Sequence, residues 1–167
     1  MIYLKETNVE DAKEEFKMIA QMPEDENGFT NPDAGINFEE YVNNVIPRHI
    51  KNSKGEDLPE GFVPQTDYFL WDDDKVVGLF RLRHYLNEHL RTYAGHIGYG
   101  IHRDYRGKGY ASKGLELLLQ VGKDIIEEDE FYLSVHKDNP ASLQVQIKNG
   151  ARIVREDDKN YFTRIPK

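Results

Sequence analysis

The segment Ile97 to Ala111, reading IGYGIHRDYRGKGYA, constrains this chain more than any other. An apolar stretch runs into a turn rich in glycine and arginine, and the amphipathic run Ser112 to Ile126 follows at once. A strand that feeds a glycine turn at a helix start aims several backbone N–H groups outward, and the helix dipole favours negative charge there. Arg106 and Lys108 add formal positive charge, while Gly107 and Gly109 let the backbone come close to a ligand. The pattern predicts an anion site, with a pyrophosphate as its guest. Upstream, Gly98 and Gly100 are unusual inside a strand and predict a bulge or a close approach by another backbone or a ligand.

The rest of the chain reads as alternating strands and helices. Ile2 to Glu6 is a short strand. Asn8 and Asp11 open a helix whose apolar stripe is Val9, Ala12, Phe16, Ile19 and Ala20, ended by Met22-Pro23. Glu24 to Ile36 reads as a polar loop. Asn37 with Glu40 caps a second helix, which Pro47 is expected to end or kink. Asn52 to Pro64 is a loop. Tyr68–Trp71 and Val76–Leu82 are strands joined by a turn at Asp72-Asp73-Asp74. A polar link, Arg83 to Gly95, leads to the strand Ala94–Ile101. Leu115, Leu118, Leu119, Gly122 and Ile126 give the next helix its buried stripe. Phe131–Val135 is a strand. Asn139-Pro140 starts a last helix and Asn149-Gly150 ends it. Ala151–Arg155 and Tyr161–Ile165 form a closing hairpin. This order predicts one α/β domain over residues 1–167, a sandwich with a largely antiparallel sheet.

Composition excludes several classes. The chain has no cysteine, so disulfides, thiolate metal sites and a cysteine nucleophile are ruled out. No apolar run reaches the length of a membrane span. The N-terminus lacks the basic-then-apolar order of a signal peptide, which predicts a cytoplasmic protein. A net charge of −8 argues against nucleic acid as a partner and suits a cationic or amine-bearing substrate. No metal is expected. Three successive acids in a tight turn are solvated, and His84, His89, His96 and His102 share no common face.

Arg106-Gly-Lys-Gly109-Tyr-Ala111 resembles the Arg/Gln-x-x-Gly-x-Gly/Ala signature of the GNAT superfamily of N-acetyltransferases. The strand before it, the helix behind it and the later segment Asn139-Pro-Ala-Ser142 sit in the order such enzymes show. The similar region runs from about Ile2 to Ile165, and the wording is similar to the branch that holds ribosomal-protein N-acetyltransferases. The resemblance implies a GNAT-like mixed, mostly antiparallel sheet of six to seven strands flanked by about four helices. It implies acetyl-CoA as cosubstrate, an amine-bearing small molecule or peptide as acceptor, and a homodimer. Backbone amides from Arg106, Gly107, Lys108, Gly109, Tyr110 and Ala111, with the Ser112 hydroxyl, would hold the pyrophosphate. Ile101 and Arg103 would offer backbone groups to the pantetheine arm as an added strand does, and Asn139 would bond it from the other side. The strands Ala94–Ile101 and Phe131–Val135 would splay to admit the arm. Many members carry a tyrosine seven residues after that asparagine to protonate the leaving thiolate. Here the position is Gln146, and an amide is no useful acid.

Acetyl transfer to an amine needs the amine deprotonated, the thioester polarised and the two held together; alignment alone can supply about 7–11 kcal/mol. His96 is the first candidate base, since imidazole titrates in the right range. A partly buried, hydrogen-bonded strand histidine is the alternative at that position. Glu88 and His89 on the preceding link are second candidates, with a solvated loop as their alternative. A noncatalytic acyl-CoA-binding module is the rival function, and Gln146 is its only support. Nucleotide binding is disfavoured: no G-x-x-x-x-G-K-[ST] occurs, and the third glycine of the dinucleotide spacing is missing. The loops Glu24–Ile36 and Asn52–Pro64 and the link Arg83–Gly95 are expected to shape the acceptor pocket.

Overall fold

The computed structural model describes residues 1–167. The chain runs β1 (Ile2–Glu6), α1 (Ala12–Gln21), β2 (Asp25–Glu26), β3 (Phe29–Thr30), α2 (Phe38–Glu40), α3 (Ile46–Ser53), β4 (Gln65–Asp72), β5 (Lys75–Arg83), α4 (Glu88–Thr92) and β6 (Ile97–Ile101). It continues through α5 (Tyr110–Gly122), β7 (Glu130–His136), α6 (Pro140–Lys148), β8 (Arg152–Glu156) and β9 (Asn160–Pro166). The seven longer strands divide into a four-stranded sheet, β1-β4-β5-β6, and a three-stranded one, β7-β9-β8, with antiparallel pairing throughout.

β4 and β5 are buried on both faces, so they read as near-continuous apolar runs. On one face Leu115 and Leu118 of α5 pack on Phe80, Leu82, Phe131 and Leu133. On the other, Met18 and Ile19 of α1 and Tyr41 and Ile46 pack on Phe69, Trp71 and Leu79. Each such side chain removed from water contributes roughly 1.5–3 kcal/mol. The two sheets meet where His96 N–H donates to the Tyr132 carbonyl at 2.7 Å. The Tyr132 N–H then turns to the His96 ring, Nδ1, at 2.9 Å. A side chain thus takes the donor that a backbone ladder would use next, and β6 and β7 part from there.

Three local expectations change. Glu24–Ile36 is not plain loop: Asp25 pairs with Thr30 and Glu26 with Phe29 in a hairpin. Its two turn residues, Asn27 and Gly28, have φ of 54° and 87°, the left-handed pair that a tight hairpin needs. Pro47 does not end its helix. The chain widens into a single π-helical turn over Tyr41–Val45, and Pro47 then falls in the first turn of α3, where its missing N–H is tolerated. No bulge occurs at Gly98 or Gly100, which stay in register with Arg81 and Leu79. The Phe29 ring of the hairpin lies on them instead, so close that a Cβ at either glycine would sit 3.1 Å from it.

Candidate active site

A cleft of about 760 Å³ opens where β6 and β7 part. The turn 106–112, α6 and the hairpin β2–β3 enclose it, and Arg81 and Arg83 of β5 form part of its floor. The entry to α5 is left-handed at Gly107 and Gly109, with φ of 77° and 84°. At those angles the peptide N–H groups of the turn face outward, and glycine alone adopts them without strain. No backbone or side-chain acceptor takes the N–H groups from Arg106 to Ser112, and no side chain caps α5. Such donors at a helix N-terminus are satisfied by side chains, water or a ligand. Here they stand beside a cleft, which is the arrangement an oxyanion-rich guest requires.

The residues named from the sequence do not all gather there. Ile101, Arg106, Gly107, Gly109, Tyr110, Ala111, Ser112 and Asn139 line the cleft. Lys108 does not; its ammonium sits over the Tyr105 ring, 5.6 Å from the centroid. Arg103 is also outside the lining, and its N–H donates to Gln21 Oε1 at 3.4 Å. Arg106 spends its guanidinium inside the protein, with Nε donating to the Ile101 carbonyl at 3.0 Å and a terminal nitrogen paired with Glu26 on the hairpin. Ser112 is held by Asn149, whose Nδ2 donates to the Ser112 carbonyl at 3.2 Å. Asn139 caps α6, accepting from Ser142 N–H at 3.4 Å.

His96 takes the alternative role of a buried, hydrogen-bonded histidine rather than that of a base. It is fully buried and lies outside the cleft. Its Nδ1 accepts from Tyr132 N–H, so the proton sits on Nε2, which donates to Glu128 Oε1 at 2.8 Å. No lone pair is left to take a proton from a substrate, and burial holds the ring toward its neutral form. Glu88 and His89 are exposed on α4 and do not border the cleft either. Their helix is held by Asn87, which accepts from Leu90 N–H at 2.9 Å.

Gln146 is buried for a structural reason. Thr163 Oγ1 donates to its carbonyl at 2.6 Å and its amide donates to the Ser134 carbonyl at 3.4 Å, which ties α6 to the β7–β9 sheet. Beside it, the Tyr99 hydroxyl meets Ser142 Oγ at 2.7 Å, and burial pushes that phenol upward. His136, not singled out from the sequence, lines the cleft at the end of β7, packed against the turn residue Gly28. The signal for it was its phase on β7. Phe131, Leu133 and Val135 point into the core, so Tyr132, Ser134 and His136 point the other way.

The family model for the acetyltransferase (GNAT) domain matches residues 2–152. The chain therefore belongs to the GNAT acetyltransferase family, and its activity is transfer of an acetyl group from acetyl-CoA to an amine. Solved structures share the fold at low identity. A spermidine N-acetyltransferase SpeG chimera from Vibrio cholerae and hSSAT is 15% identical with a TM-score of 0.65, over 99% of this chain and 95% of that one. The microcin C7 self-immunity acetyltransferase MccE, in complex with acetyl-CoA and AMP, is 16% identical at 0.65, over 99% and 92%. An acetyl transferase that modifies the N-terminal serine of ribosomal protein L7/L12 from Salmonella typhimurium is 14% identical at 0.60, over 98% and 92%.

Proposed function

We propose that this chain carries out direct acetyl transfer within a ternary complex, with the uncapped N–H cluster of Arg106 to Ser112 holding the pyrophosphate of acetyl-CoA. The single observation that carries the reading is that these donors have no acceptor of their own and border the cleft. Ile101 and Asn139, on opposite walls, would bond the pantetheine arm. Bound acetyl-CoA supplies an activated thioester that an amine attacks directly, forming the C–N bond and releasing the thiolate. His136 takes the place first given to His96 as proton acceptor, because it is an imidazole that faces the cleft. Tyr99 replaces the tyrosine missing at Gln146 as proton donor, its hydroxyl brought to α6 from β6. A cytoplasmic location and a homodimer belong to the same proposal. The exposed edge strand β8, with Ile153 and Val154 open to solvent, is where a second copy would pair.

Gly109→Glu tests the central reading. The new side chain forces an L-residue into a φ of 84° and places a carboxylate where a polyanion is to bind. Calorimetry should show acetyl-CoA affinity falling at least about 100-fold, the scale of two lost charge-assisted bonds. Unchanged affinity would remove the pyrophosphate loop from the reading.

A further inference from the structure

The cleft has the opposite charge to the molecule. In a chain of net charge −8, the lining sets the cations Arg81, Arg83, Arg106 and Lys148, with the imidazole of His136, against one carboxylate, Glu26. Arg106 and Glu26 pair with each other at the turn 106–112. Lys148 is exposed on α6, and Arg81 and Arg83 are the two lining cations on β5. Both lie on the strand face that carries Leu79, with Arg81 directly opposite Gly98. Arg83 follows two residues on, about 7 Å along the strand.

The two arginines are not equivalent. Arg81 Nε donates to Asp67 Oδ1 at 3.3 Å, and its guanidinium stacks on the Phe29 ring at 4.9 Å. Asp67 is buried, and Arg81 and His49 hold its carboxyl below the usual range against the pull of burial. The His49 Nε2 stands 3.5 Å from Asp67 Oδ2, and burial keeps that ring toward neutral. Asp67 and Arg81 therefore cancel. Arg83 has no such partner. It makes one hydrogen bond, NH1 to the Gly95 carbonyl at 3.1 Å, and no carboxylate lies within ion-pair distance. A guanidinium carries five donors, so most of its fork is unused. Burial pulls its pKa down to about 10, which leaves it charged at neutral pH. A half-buried cation without a counter-ion is costly, and a bound anion would offset that cost.

We infer that the acceptor is a primary amine that also carries a carboxylate, and that Arg83 is the specificity residue that receives it. The planar fork matches a carboxylate edge-on. At Arg83 itself a single unpaired charge suits a monoanion better than a phosphate dianion, and it repels a polyamine. The acidic composition, which by itself suits a cationic substrate, is thus reversed locally at Arg83 of β5. This inference rests on the acetyltransferase reading and narrows its acceptor.

The test is thiol release by the full-length protein at saturating acetyl-CoA, with L-amino acids, their carboxamides, aminoalkyl phosphates and spermidine as acceptors. Acids should exceed their amides in kcat/KM by about 10–100-fold, the worth of a charge-assisted bond. In Arg83→Gln the acids should lose that advantage while the amides keep their rate, and calorimetry should find acetyl-CoA affinity unchanged. Where Arg83→Gln does not fold, Arg83→Lys should fold and lower the acid-to-amide ratio, since a point charge replaces a fork. Spermidine or amides matching the acids, phosphates outrunning carboxylates, or Arg83→Gln or Arg83→Lys slowing acids and amides equally would overturn the inference and leave the acetyltransferase reading intact. Tight acetyl-CoA binding with no release from any amine would overturn both.

Discussion

At the scale of single residues, two histidines of like chemistry part company because of where their strands place them. His96 links the two sheets through both ring nitrogens, and His136 faces the cleft with neither nitrogen in a hydrogen bond. His96→Ala should therefore be a stability variant. It strands the half-buried Tyr132 N–H and part of the Glu128 carboxylate, at up to about 1–3 kcal/mol for each group. His136→Ala should fold normally and lose turnover, by about 10²–10⁴-fold if it serves as base. Thermal melts beside kcat for both variants separate the roles, and a His96→Ala protein of normal stability without turnover would reverse them. The pH dependence has a definite sign. Burial disfavours the charged His96 ring in the folded state, so the unfolded chain binds more protons. The stability it contributes is present above the ordinary value of about 6.5 and is lost as pH falls from there through the lower folded value; His96→Ala should flatten that part of the profile.

At the scale of elements, α5 shows packing overruling propensity. Gly114 lies mid-helix, where glycine costs about 1 kcal/mol against alanine. A Cβ there would lie 2.2 Å from Phe80 Cζ and 3.0 Å from Leu70 Cδ2. Gly114→Ala should thus destabilise the protein by about 1–3 kcal/mol in urea unfolding, despite its better helix propensity. An increase in stability would mean that α5 can move off the sheet. The hairpin β2–β3 shows the reverse case. Asn27-Gly28 is a strong two-residue turn signal, legible in the sequence, but its strands are only two residues each and lack apolar alternation. What holds it is tertiary: Phe29 on the two glycines of β6, Glu26 on Arg106, and Gly28 against His136.

At the scale of the molecule, the cleft exists because two sheets touch only at their His96–Tyr132 end. A ligand lying between β6 and β7 would tie the halves together and bind the folded state alone. Acetyl-CoA at 100 times its Kd should add about 2.7 kcal/mol, which for a chain of this size raises Tm by roughly 5–10 °C. Scanning calorimetry across a concentration series checks this. A Tm independent of acetyl-CoA would place the ligand elsewhere or nowhere on the fold.

The sequence by itself determined the strand–turn–helix at Ile97–Gly122, the antiparallel pairing and the Asn139 cap. Each of these is a local matter of periodicity, backbone angle or capping chemistry, read over a few neighbours. Only the tertiary structure decided which titratable groups reach the cleft. His96 turned inward, His136 outward, Arg81 was neutralised by Asp67, and Arg83 was left free. Such choices depend on partners 12 to 36 residues away along the chain. No local pattern encodes which buried charge finds its counter-ion, because that is settled by desolvation and packing once the sheets are assembled.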